Sequence, residues 1–432
     1  MAKVVVVGLG YVGLTTAVGL AQLGHTVLGI DLSNERVQAL KNGIIPIHEP
    51  GLAEEFTSQV IARRILVSES YDEITSDIEF AFVCVSTPSS PSGQADLSYI
   101  ESSTASLRSR LEPGSVLVMK STVPIGTCRK VSAELTPFGI NVASNPEFLS
   151  EGNALKDFFS PSRIVVGAEK KEIAESVLGL YAGIQAPQLI CDLASAEAIK
   201  HASNALLSVR LSFVNELAAV CEKMGADISK VTEGMGLDPR IGNNFLNPGP
   251  GWGGSCFPKD SVELARSASD VGARMLTVEA AILSNTATKQ RVAAIAKELL
   301  GDNPNLKTVA IWGLAFKANT DDIRESPAVQ IASTLSETGA RIVAFDPVVK
   351  SVPNKEFFVA TSPIDACDGA DLLVVLTEWD EFKSIDPAEV REVMRGNAAV
   401  YDARGMLNRT SWMANFRRYE EIGQPTSDSF GH

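Results

Sequence analysis

The chain has 432 residues and a formal net charge of −14, and 45% of its residues are hydrophobic and 21% charged. This length is too great for one hydrophobic core, so we expect an ordinary soluble globular protein of two or three domains. The negative charge argues against a nucleic acid or an anionic membrane as partner. An anionic ligand must therefore meet basic residues that are concentrated locally.

The six cysteines lie at scattered spacings. They form no disulfide framework, and no CxxC pair or Cys/His cluster suggests zinc, so we predict no metal site. A reducing, cytoplasmic compartment fits this cysteine usage best. No apolar run approaches the roughly 20 residues of a membrane span, and we predict no membrane partner.

The first part of the chain alternates strands with helical stretches. Apolar runs predict strands at residues 3–7, 26–30, 80–85, 116–120 and 141–143, and a helix at residues 11–23. This alternation indicates βαβ units and a doubly wound sheet, so the fold class is α/β. We predict an N-terminal Rossmann-type dinucleotide-binding domain at residues 1–195.

A glycine fingerprint joins the first strand to the first helix. Gly8 permits a tight turn, Gly10 lets the backbone approach a pyrophosphate, and Gly13 allows the helix to pack closely on the sheet. The helix N-terminus then favours the phosphates. Asp31 ends the second strand, where a carboxylate accepts hydrogen bonds from a ribose and repels a 2′-phosphate. The pattern predicts NAD, rather than NADP, as the cofactor.

Further cofactor contacts are predicted around this fingerprint. Arg36 lies close to Asp31 in the sequence, so NADP stays open as the alternative cofactor. Thr87 and Thr122 follow strands and so lie at the carboxyl edge of the sheet, where ligands bind. Taken singly, each threonine is more often only a hydroxyl that ends a strand. The fingerprint residues Tyr11 and Val12 complete this set.

The middle of the chain is helical. Helical patterns cover about residues 195–224, 258–272 and 276–300. In the first of these, apolar residues recur at the spacing of one helix face: Ala198, Ala202, Leu206, Val209, Phe213, Leu217 and Val220. We predict a central all-α domain at residues 196–300, whose long helix forms the interface of a homodimer.

The α/β pattern returns after residue 307. Strands are predicted at residues 308–312, 341–345, 372–376 and 398–402, and a helix at residues 328–337. They predict a C-terminal Rossmann-like α/β domain at residues 301–423 that lacks the GxGxxG sequence. Residues 424–432 are polar and are predicted to be a flexible tail.

Cys256 lies in an unusual segment, Pro248-Gly249-Pro250-Gly251-Trp252-Gly253-Gly254-Ser255-Cys256. So many glycines and prolines exclude a regular helix or a central strand and predict an open, sharply turning backbone that a ligand can approach. Lys259 and Asp260 follow at once and could tune the thiol, whose thiolate is the reactive form. Most free cysteines are buried packing residues, and only this setting favours a reactive one.

Three other clusters each allow two interpretations. Glu147 and Glu151 follow a strand, and they could be catalytic or a charge pattern at a helix N-terminus. Lys200 and Asn204 are four residues apart and face the same way on the long helix, but could be a solvated helix face. Residues 313–327 open the third domain, and the basic residues there could belong only to a loop salt-bridge network.

Taken together, these segments resemble the UDP-glucose/GDP-mannose dehydrogenase family, which oxidises a sugar C6 alcohol to a carboxylate. The resemblance covers essentially the whole chain, through residues 8–13, 120–124, 145–151, 200, 204, 245–260, 313–317 and 402–405. Its most specific segment is residues 253–260. Similar enzymes acting on N-acetylated UDP-hexosamines typically carry His before the cysteine, so Ser255 argues against that branch. Phe257 mildly favours UDP-glucose over GDP-mannose.

The resemblance implies a four-electron oxidation of UDP-glucose to UDP-glucuronate with two NAD molecules in sequence. It implies that Cys256 traps the intermediate aldehyde as a thiohemiacetal, which is oxidised to a thioester and then hydrolysed. Lys200 and Asn204 would stabilise the oxyanion, and Asp260 would assist proton removal through a water. Glu147 would be the acid/base of thioester hydrolysis. Thr122 joins this catalytic set.

The resemblance also implies contacts with both nucleotides. Lys317 and Arg404 would bind the substrate diphosphate, and Arg240 would reach across the dimer. Glu151, Lys259 and Arg324 would lie on the cofactor side. The full substrate-binding set implied is Glu147, Phe148, Leu149, Glu151, Lys200, Asn204, Arg240, Phe245, Leu246, Asn247, Gly249, Gly253, Phe316, Lys317 and Arg404.

Three alternatives stay open at this point. GDP-mannose or another UDP-hexose would use the same chemistry. A two-electron 3-hydroxyacid-type dehydrogenase shares the GxGxxG terminus and a catalytic lysine on a central helix, but needs neither a nucleophilic cysteine nor a third domain. A non-catalytic sensor of NAD or nucleotide sugars is the least favoured, because every reactive group is present.

Overall fold

The computed structural model describes residues 1–88, 90, 93–355 and 357–425. The chain divides into two compact units, one of residues 1–203 with 266–273 and one of residues 204–265 with 274–432. The predicted three-domain boundaries stay a prediction. Most of the predicted tail, residues 426–432, lies outside the described residues.

The first unit contains an eight-stranded sheet. Its strands are β1 (Lys3–Val7), β2 (Thr26–Ile30), β3 (Ile65–Ser68), β4 (Phe80–Val83), β5 (Val116–Met119), β6 (Asn141–Ser144), β7 (Ile164–Ala168) and β8 (Gln188–Cys191). Their order is β3-β2-β1-β4-β5-β6-β7-β8. Neighbours are parallel except β6 and β7, which are antiparallel.

Helices connect these strands. They are α1 (Tyr11–Gln22), α2 (Asn34–Lys41), α3 (Leu52–Ile61), α4 (Ser98–Arg108), α5 (Thr127–Leu135), α6 (Ala154–Phe159) and α7 (Lys171–Gly179). Separate apolar cores lie on the two faces of the sheet, one containing Val4 and Val6 and the other Val5 and Val7. Burial on both faces explains why β1 is an unbroken run of valines after Lys3.

The second unit contains a six-stranded sheet and long helices. Helix α8 (Leu193–Met224) begins in the first unit and continues into the second, where it is followed by α9 (Ile228–Gly236), α10 (Phe257–Asp270) and α11 (Leu276–Leu300). The strands are β9 (Thr308–Trp312), β10 (Arg341–Phe345), β11 (Phe358–Val359), β12 (Leu372–Val375), β13 (Ala399–Asp402) and β14 (Tyr419–Glu421). The remaining helices are α12 (Pro327–Ser336), α13 (Pro363–Cys367), α14 (Asp380–Lys383), α15 (Pro387–Val393) and α16 (Arg409–Asn415).

The second sheet repeats the order of the first six strands of the first sheet. Its order is β11-β10-β9-β12-β13-β14, and all neighbours are parallel. The turn after its first strand also repeats, because Leu314 donates its N–H to Asp346 at 2.8 Å as Leu9 does to Asp31 at 2.8 Å. The predicted α/β class, with two Rossmann-like sheets and a long central helix, is confirmed.

The predicted apolar stripe of α8 lies on a largely exposed face of the helix. Leu206, Phe213 and Val220 are 61%, 52% and 49% exposed, whereas Lys200 and Asn204 are 3% and 7% exposed. The interpretation of Lys200 and Asn204 as a solvated face is therefore wrong. The buried residues of this helix include apolar ones such as Val214 and Ala218 as well as polar ones that bond to other elements. Leu206, Phe213 and Val220 stay exposed among the residues that the structure describes.

Among the described residues, α8 is the one helix with the length and apolar composition of a membrane span. Its most apolar 18-residue window has a mean hydropathy of 1.2, and 44% of that window is buried. Glu197, Lys200 and His201 are buried on the same helix. A core helix of a water-soluble protein has the same character, so this is weak support for a span.

Candidate active site and family assignment

The glycine fingerprint forms the turn that its spacing predicts. Gly8 has a φ of +88°, and its N–H donates to the Ile30 carbonyl at 2.8 Å. A Cβ on Gly13 would lie 1.7 Å from the Gly8 carbonyl oxygen, so only glycine allows α1 to start this close to β1. A Cβ on Gly10 would meet nothing within 4 Å. The backbone at Gly10 is therefore open, as the close approach of a pyrophosphate requires.

Asp31 is held at the end of β2 by three donors. Its Oδ2 accepts from the Leu9 N–H at 2.8 Å and from Arg36 Nη1 at 2.8 Å, and its Oδ1 accepts from the Ser33 N–H at 2.9 Å. The side chain is 9% exposed. The carboxylate is thus oriented at the fingerprint turn, and the guanidinium of Arg36 is paired with it.

The two predicted threonines contact each other. Thr87 Oγ1 donates to the Thr122 carbonyl at 2.8 Å, which joins the segments that follow β4 and β5.

Tyr11 lies at the start of α1 with Val12, and both are half-buried. Burial, and then the nearby Glu49 and Glu151 carboxylates, raise the pKa of the Tyr11 hydroxyl well above its usual range. The Tyr11 hydroxyl therefore stays protonated at neutral pH and can act as a hydrogen-bond donor.

Glu147 and Lys200 form a buried ion pair in the first unit. Lys200 Nζ lies 2.7 Å from Glu147 Oε1, and the side chains are only 4% and 6% exposed. The other oxygen of Glu147 accepts the Leu149 N–H at 2.6 Å. Glu147 lies outside any helix, between β6 and α6, and well before the first residue of α6, so the interpretation as a helix N-terminal charge pattern is wrong for this residue.

Phe148 lies beside two cations. The Arg163 guanidinium carbon is 3.7 Å from its ring centroid, and Lys200 Nζ is 5.7 Å from it. Arg163 also donates to Ser203 Oγ at 3.0 Å, and burial lowers its pKa. Arg163 was not predicted as a site residue, because it is separated from Phe148 by 15 positions and lies in no motif.

A second buried lysine supports the segment that carries Glu147. Lys120 is 5% exposed, and its Nζ donates to the Oδ1 of Asn145 at 3.2 Å. Asn145 also receives the Tyr181 hydroxyl at 2.6 Å and donates to the Val165 carbonyl at 2.8 Å. Burial lowers the pKa of Lys120 to about 8. Lys120 belongs to residues 120–124, which carry part of the family resemblance, but no role was predicted for it.

Glu151 lies in a turn that is fixed by another missed residue. Glu49 is 7% exposed and accepts the N–H groups of Gly152 at 2.7 Å and Ala154 at 2.5 Å. Glu49 therefore satisfies backbone donors at the start of α6, the region in which Glu151 lies. Glu49 is 103 positions from Gly152, so the residues around Glu151 give no signal of this contact.

Cys256 lies immediately before α10, outside any helix or strand, as the glycines and prolines predict. Its carbonyl accepts the Asp260 N–H at 2.8 Å, the first turn of that helix. Cys84, Cys128, Cys221 and Cys367 are buried, whereas Cys256 is partly exposed. Ser255 Oγ lies 3.4 Å from the Cys256 sulfur. The only other partly exposed cysteine is Cys191.

Asp260 links the cysteine segment to α8 within the second unit. It is 1% exposed, and its Oδ2 accepts from Asn204 Nδ2 at 2.6 Å. Lys259 Nζ lies 2.8 Å from its Oδ1. The structure therefore brings together the predicted Asn204 and Asp260, and it places the Lys259 ammonium on that carboxylate.

The glycines before Cys256 allow two close contacts with the segment after β9. A Cβ on Gly253 would lie 2.2 Å from the Glu325 carbonyl oxygen, and one on Gly254 would lie 2.7 Å from the Phe316 ring. The Gly254 N–H donates to the Arg324 carbonyl at 2.9 Å. The predicted Phe316 therefore lies against Gly254, and the predicted Gly253 lies against the backbone of Glu325.

Arg404 contacts several elements at the carboxyl edge of the second sheet. Its Nε donates to the Leu376 carbonyl at 2.9 Å and its Nη2 to the Phe316 carbonyl at 3.2 Å. A Cβ on Gly249 would lie 3.0 Å from its Nη1. Lys317 Nζ lies 5.6 Å from the Phe316 ring centroid. Two of the predicted phosphate-binding cations therefore lie beside Phe316.

Residues 245–247 follow α9 and lie outside any helix or strand. The backbone of the first of them is in the left-handed region. Phe245 has a φ of +59° and its ring centroid is 6.2 Å from that of Phe257. A left-handed phenylalanine is strained, and such residues concentrate at ligand sites. Leu246 is buried, and Asn247 is exposed.

Two predicted arginines are paired with acids near them in the sequence. Arg240 contacts Asp238 at 2.6 Å with a side chain that is 87% exposed. Arg324 contacts Asp322 at 2.6 Å with a side chain that is 65% exposed. For Arg324 this is the loop salt bridge of the alternative interpretation. The dimer and cofactor contacts of both residues stay predictions.

Comparison with known proteins gives three consecutive matches to one family. Residues 2–185 match the NAD binding domain of the UDP-glucose/GDP-mannose dehydrogenase family, residues 194–287 its central domain and residues 310–409 its UDP binding domain. The chain belongs to the UDP-glucose/GDP-mannose dehydrogenase family.

Members of this family resemble the chain along nearly its full length. UDP-glucose 6-dehydrogenase TuaD of Bacillus subtilis (strain 168) is 36% identical over 98% of this chain and 94% of its own. UDP-glucose 6-dehydrogenase of Rickettsia bellii (strain RML369-C) is 37% identical over 96% and 98%. A solved UDP-glucose dehydrogenase from the archaeon Pyrobaculum islandicum superposes with a TM-score of 0.90, at 36% identity over 98% of both chains.

As a member of the UDP-glucose/GDP-mannose dehydrogenase family, the chain is an NAD-dependent oxidoreductase with a nucleotide-sugar substrate. The match to the family's NAD binding domain confirms the cofactor predicted from the fingerprint. The open backbone at Gly10 and the oriented Asp31 carboxylate fit NAD. The predicted resemblance to this family is also confirmed.

Proposed function

We propose that this enzyme oxidises the C6 alcohol of UDP-glucose to the carboxylate of UDP-glucuronate. The observation that carries the proposal is Cys256, a partly exposed thiol at the first turn of α10 in the same unit as the Asn204–Asp260 pair. A two-electron oxidation needs no such thiol. The names of the similar proteins support UDP-glucose as the substrate.

The reaction balances over two oxidations and one hydrolysis. NAD, when bound, supplies the hydride acceptor for each oxidation, so one sugar yields two NADH. In the first oxidation the C6 hydroxyl loses its proton and C6 loses a hydride, giving an aldehyde. The Cys256 thiolate adds to that aldehyde, and the thiohemiacetal loses a second hydride and its hydroxyl proton to give a thioester. Water then breaks the C–S bond and releases the carboxylate and the thiolate.

The polar residues provide the charges that these steps need. Asp260, fixed by Asn204 and Lys259, accepts protons through a water during the oxidations. Lys200 and Asn204, one turn apart on α8, stabilise the oxyanions of the alkoxide and the tetrahedral states. Glu147 serves as the acid/base in hydrolysis of the thioester.

The remaining predicted contacts orient the two nucleotides. Lys317 and Arg404 bind the substrate diphosphate, and residues 245–249 enclose the sugar. Glu151, Arg324, Thr87 and Thr122 complete the cofactor side, and Arg240 acts across the dimer. These concentrated cations let a chain of net charge −14 bind two anionic nucleotides in the cytoplasm.

Substrate identity is tested by counting the NADH formed per nucleotide sugar. We expect UDP-glucose to be consumed with two NADH per molecule, and GDP-mannose or another UDP-hexose to react at least about 100-fold more slowly in kcat/KM. The measurement is absorbance at the NADH band with limiting sugar. Turnover with GDP-mannose and none with UDP-glucose would overturn the assignment, and one NADH per sugar would point to a two-electron enzyme.

We further propose that the exposed apolar face of α8 forms the homodimer interface. Leu206, Phe213 and Val220 are seven residues apart, so they lie on one face of the helix. Each is about half exposed or more within the chain. An apolar stripe of this kind is covered in a stable assembly.

Replacing Phe213 with glutamate is expected to shift the protein from dimer to monomer, because it places a charge on the apolar stripe. Sedimentation at micromolar concentration measures the shift. The matched control is Phe138→Glu, since Phe138 is 48% exposed and lies in the other unit. A dimer that tolerates Phe213→Glu, or that fails equally with Phe138→Glu, would contradict the proposed interface.

A further inference from the structure

Asn285 on α11 bonds the backbone of the segment that leads to Cys256. Its Oδ1 accepts the Trp252 N–H at 2.8 Å, and its Nδ2 donates to the Trp252 carbonyl at 2.9 Å. Asn285 and Trp252 are each 5% exposed. One side-chain amide thus satisfies both polar backbone groups of one buried residue, as a neighbouring strand would.

Helix α8 holds the same segment at two more points. The Trp252 indole Nε1 donates to Ser212 Oγ at 2.9 Å, and Ser212 in turn donates to the Ala281 carbonyl at 3.0 Å. Asn215 Oδ1 accepts the Gly249 N–H at 2.8 Å. Ser212 and Asn215 are each 3% exposed. Residues 249–252 are therefore fixed by buried side chains of two helices.

This segment needs such partners because its own composition supplies none. Residues 249–253 belong to no helix or strand. Pro250 has no N–H, and Gly251 has a φ of +123° and no side chain. A Cβ on Gly251 would lie 2.8 Å from Asn285 Oδ1, so the backbone passes directly against the amide. Without the amide, two backbone groups would be buried and unpaired.

We propose that Asn285 and Asn215 are positioning residues for the nucleophile. They fix the backbone at Gly249 and Trp252, and the contacts of Gly253 and Gly254 with the segment after β9 fix it from there to Cys256. The place of the sulfur at the start of α10 is then set by both groups of contacts. This inference rests on the proposed role of Cys256, but its test does not require turnover.

Two substitutions at position 285 remove either one or both of the hydrogen bonds between Asn285 and Trp252. Asn285→Asp keeps the acceptor for the Trp252 N–H and loses the donor to its carbonyl, at almost unchanged volume. Asn285→Leu loses both bonds at similar volume. Gln290→Leu is the matched control, because it removes an amide from an exposed position of the same helix.

The readout is the rate at which iodoacetamide alkylates Cys256, followed by peptide mass spectrometry over a range of pH, together with kcat, KM and the unfolding temperature. We expect kcat to fall roughly tenfold for Asn285→Asp and roughly 100-fold for Asn285→Leu, because each lost hydrogen bond costs about one factor of ten. The changes in KM should be smaller. The alkylation rate and its pH profile should change less for Asn285→Asp than for Asn285→Leu. In both respects Gln290→Leu should match the unchanged protein.

A purely structural Asn285 would lower the unfolding temperature and leave the alkylation of the folded protein unaltered. An unchanged alkylation rate and pH profile in folded Asn285→Leu would therefore overturn the proposal. If Asn285→Leu does not fold, Asn285→Asp decides by the same criterion. Full turnover in a Cys256→Ser variant would instead overturn the proposed function, so the two failures are distinguishable.

Discussion

Replacing Cys256 with serine is expected to lower the rate of carboxylate formation by about 10⁴-fold. The hydroxyl is close to the thiol in size, but it ionises far less readily and so cannot trap the aldehyde as a thiolate does. The first oxidation does not use the sulfur, so aldehyde should be formed and be trapped by an added hydrazine. The measurement is NADH and UDP-glucuronate formed with and without that trap.

The same substitution at Cys191 is the control. Cys191 is the other partly exposed cysteine, and it lies in β8 of the first unit. Cys191→Ser should keep the normal rate and two NADH per sugar. If Cys256→Ser kept its rate of carboxylate formation within tenfold, the covalent route through this thiol would be wrong.

Replacing Lys200 with methionine is expected to lower kcat by about 10³-fold and the free energy of unfolding by about 3–5 kcal/mol. The loss of activity follows from the missing cation at the oxyanion. The loss of stability has a different cause, because Glu147 would be left as a buried charge without its partner at 2.7 Å. Steady-state kinetics and urea unfolding measure the two effects.

The double variant Lys200→Met with Glu147→Gln separates these causes. Removing both charges should restore most of the free energy of unfolding, because no unpaired carboxylate is then buried. It should not restore kcat. A double variant that recovered activity along with stability would show that Lys200 serves the structure rather than the reaction.

The sequence predicted the first sheet's central strands closely. The bounds of β1 and β2 agree with the prediction residue for residue, and β4 and β5 are only one or two residues shorter. Buried parallel strands are short apolar runs, and GxGxxG is contiguous, so both can be recognised from neighbours along the chain. The antiparallel pair of β6 and β7 was not predicted, since strand direction depends on the path of the connection.

The helices show the limit of local patterns most clearly. The apolar stripe of α8 lies on one face of the helix, but Leu206, Phe213 and Val220 on that face are exposed, whereas Lys200 and Asn204 are buried. Periodicity identifies a face without saying what covers it. Asn285 could have been noticed, because it is a polar residue on a buried face otherwise made of Val278, Ala281, Thr288 and Val292.

By itself the sequence determined the α/β class, the dinucleotide turn and the family, because each depends on adjacent residues or on a fixed spacing. Only the tertiary structure decided which side chains pair. Glu147 meets Lys200 across 53 positions, Asn204 meets Asp260 across 56, and Asn285 meets Trp252 across 33. Such contacts depend on how distant segments pack, and local composition carries no information about that packing.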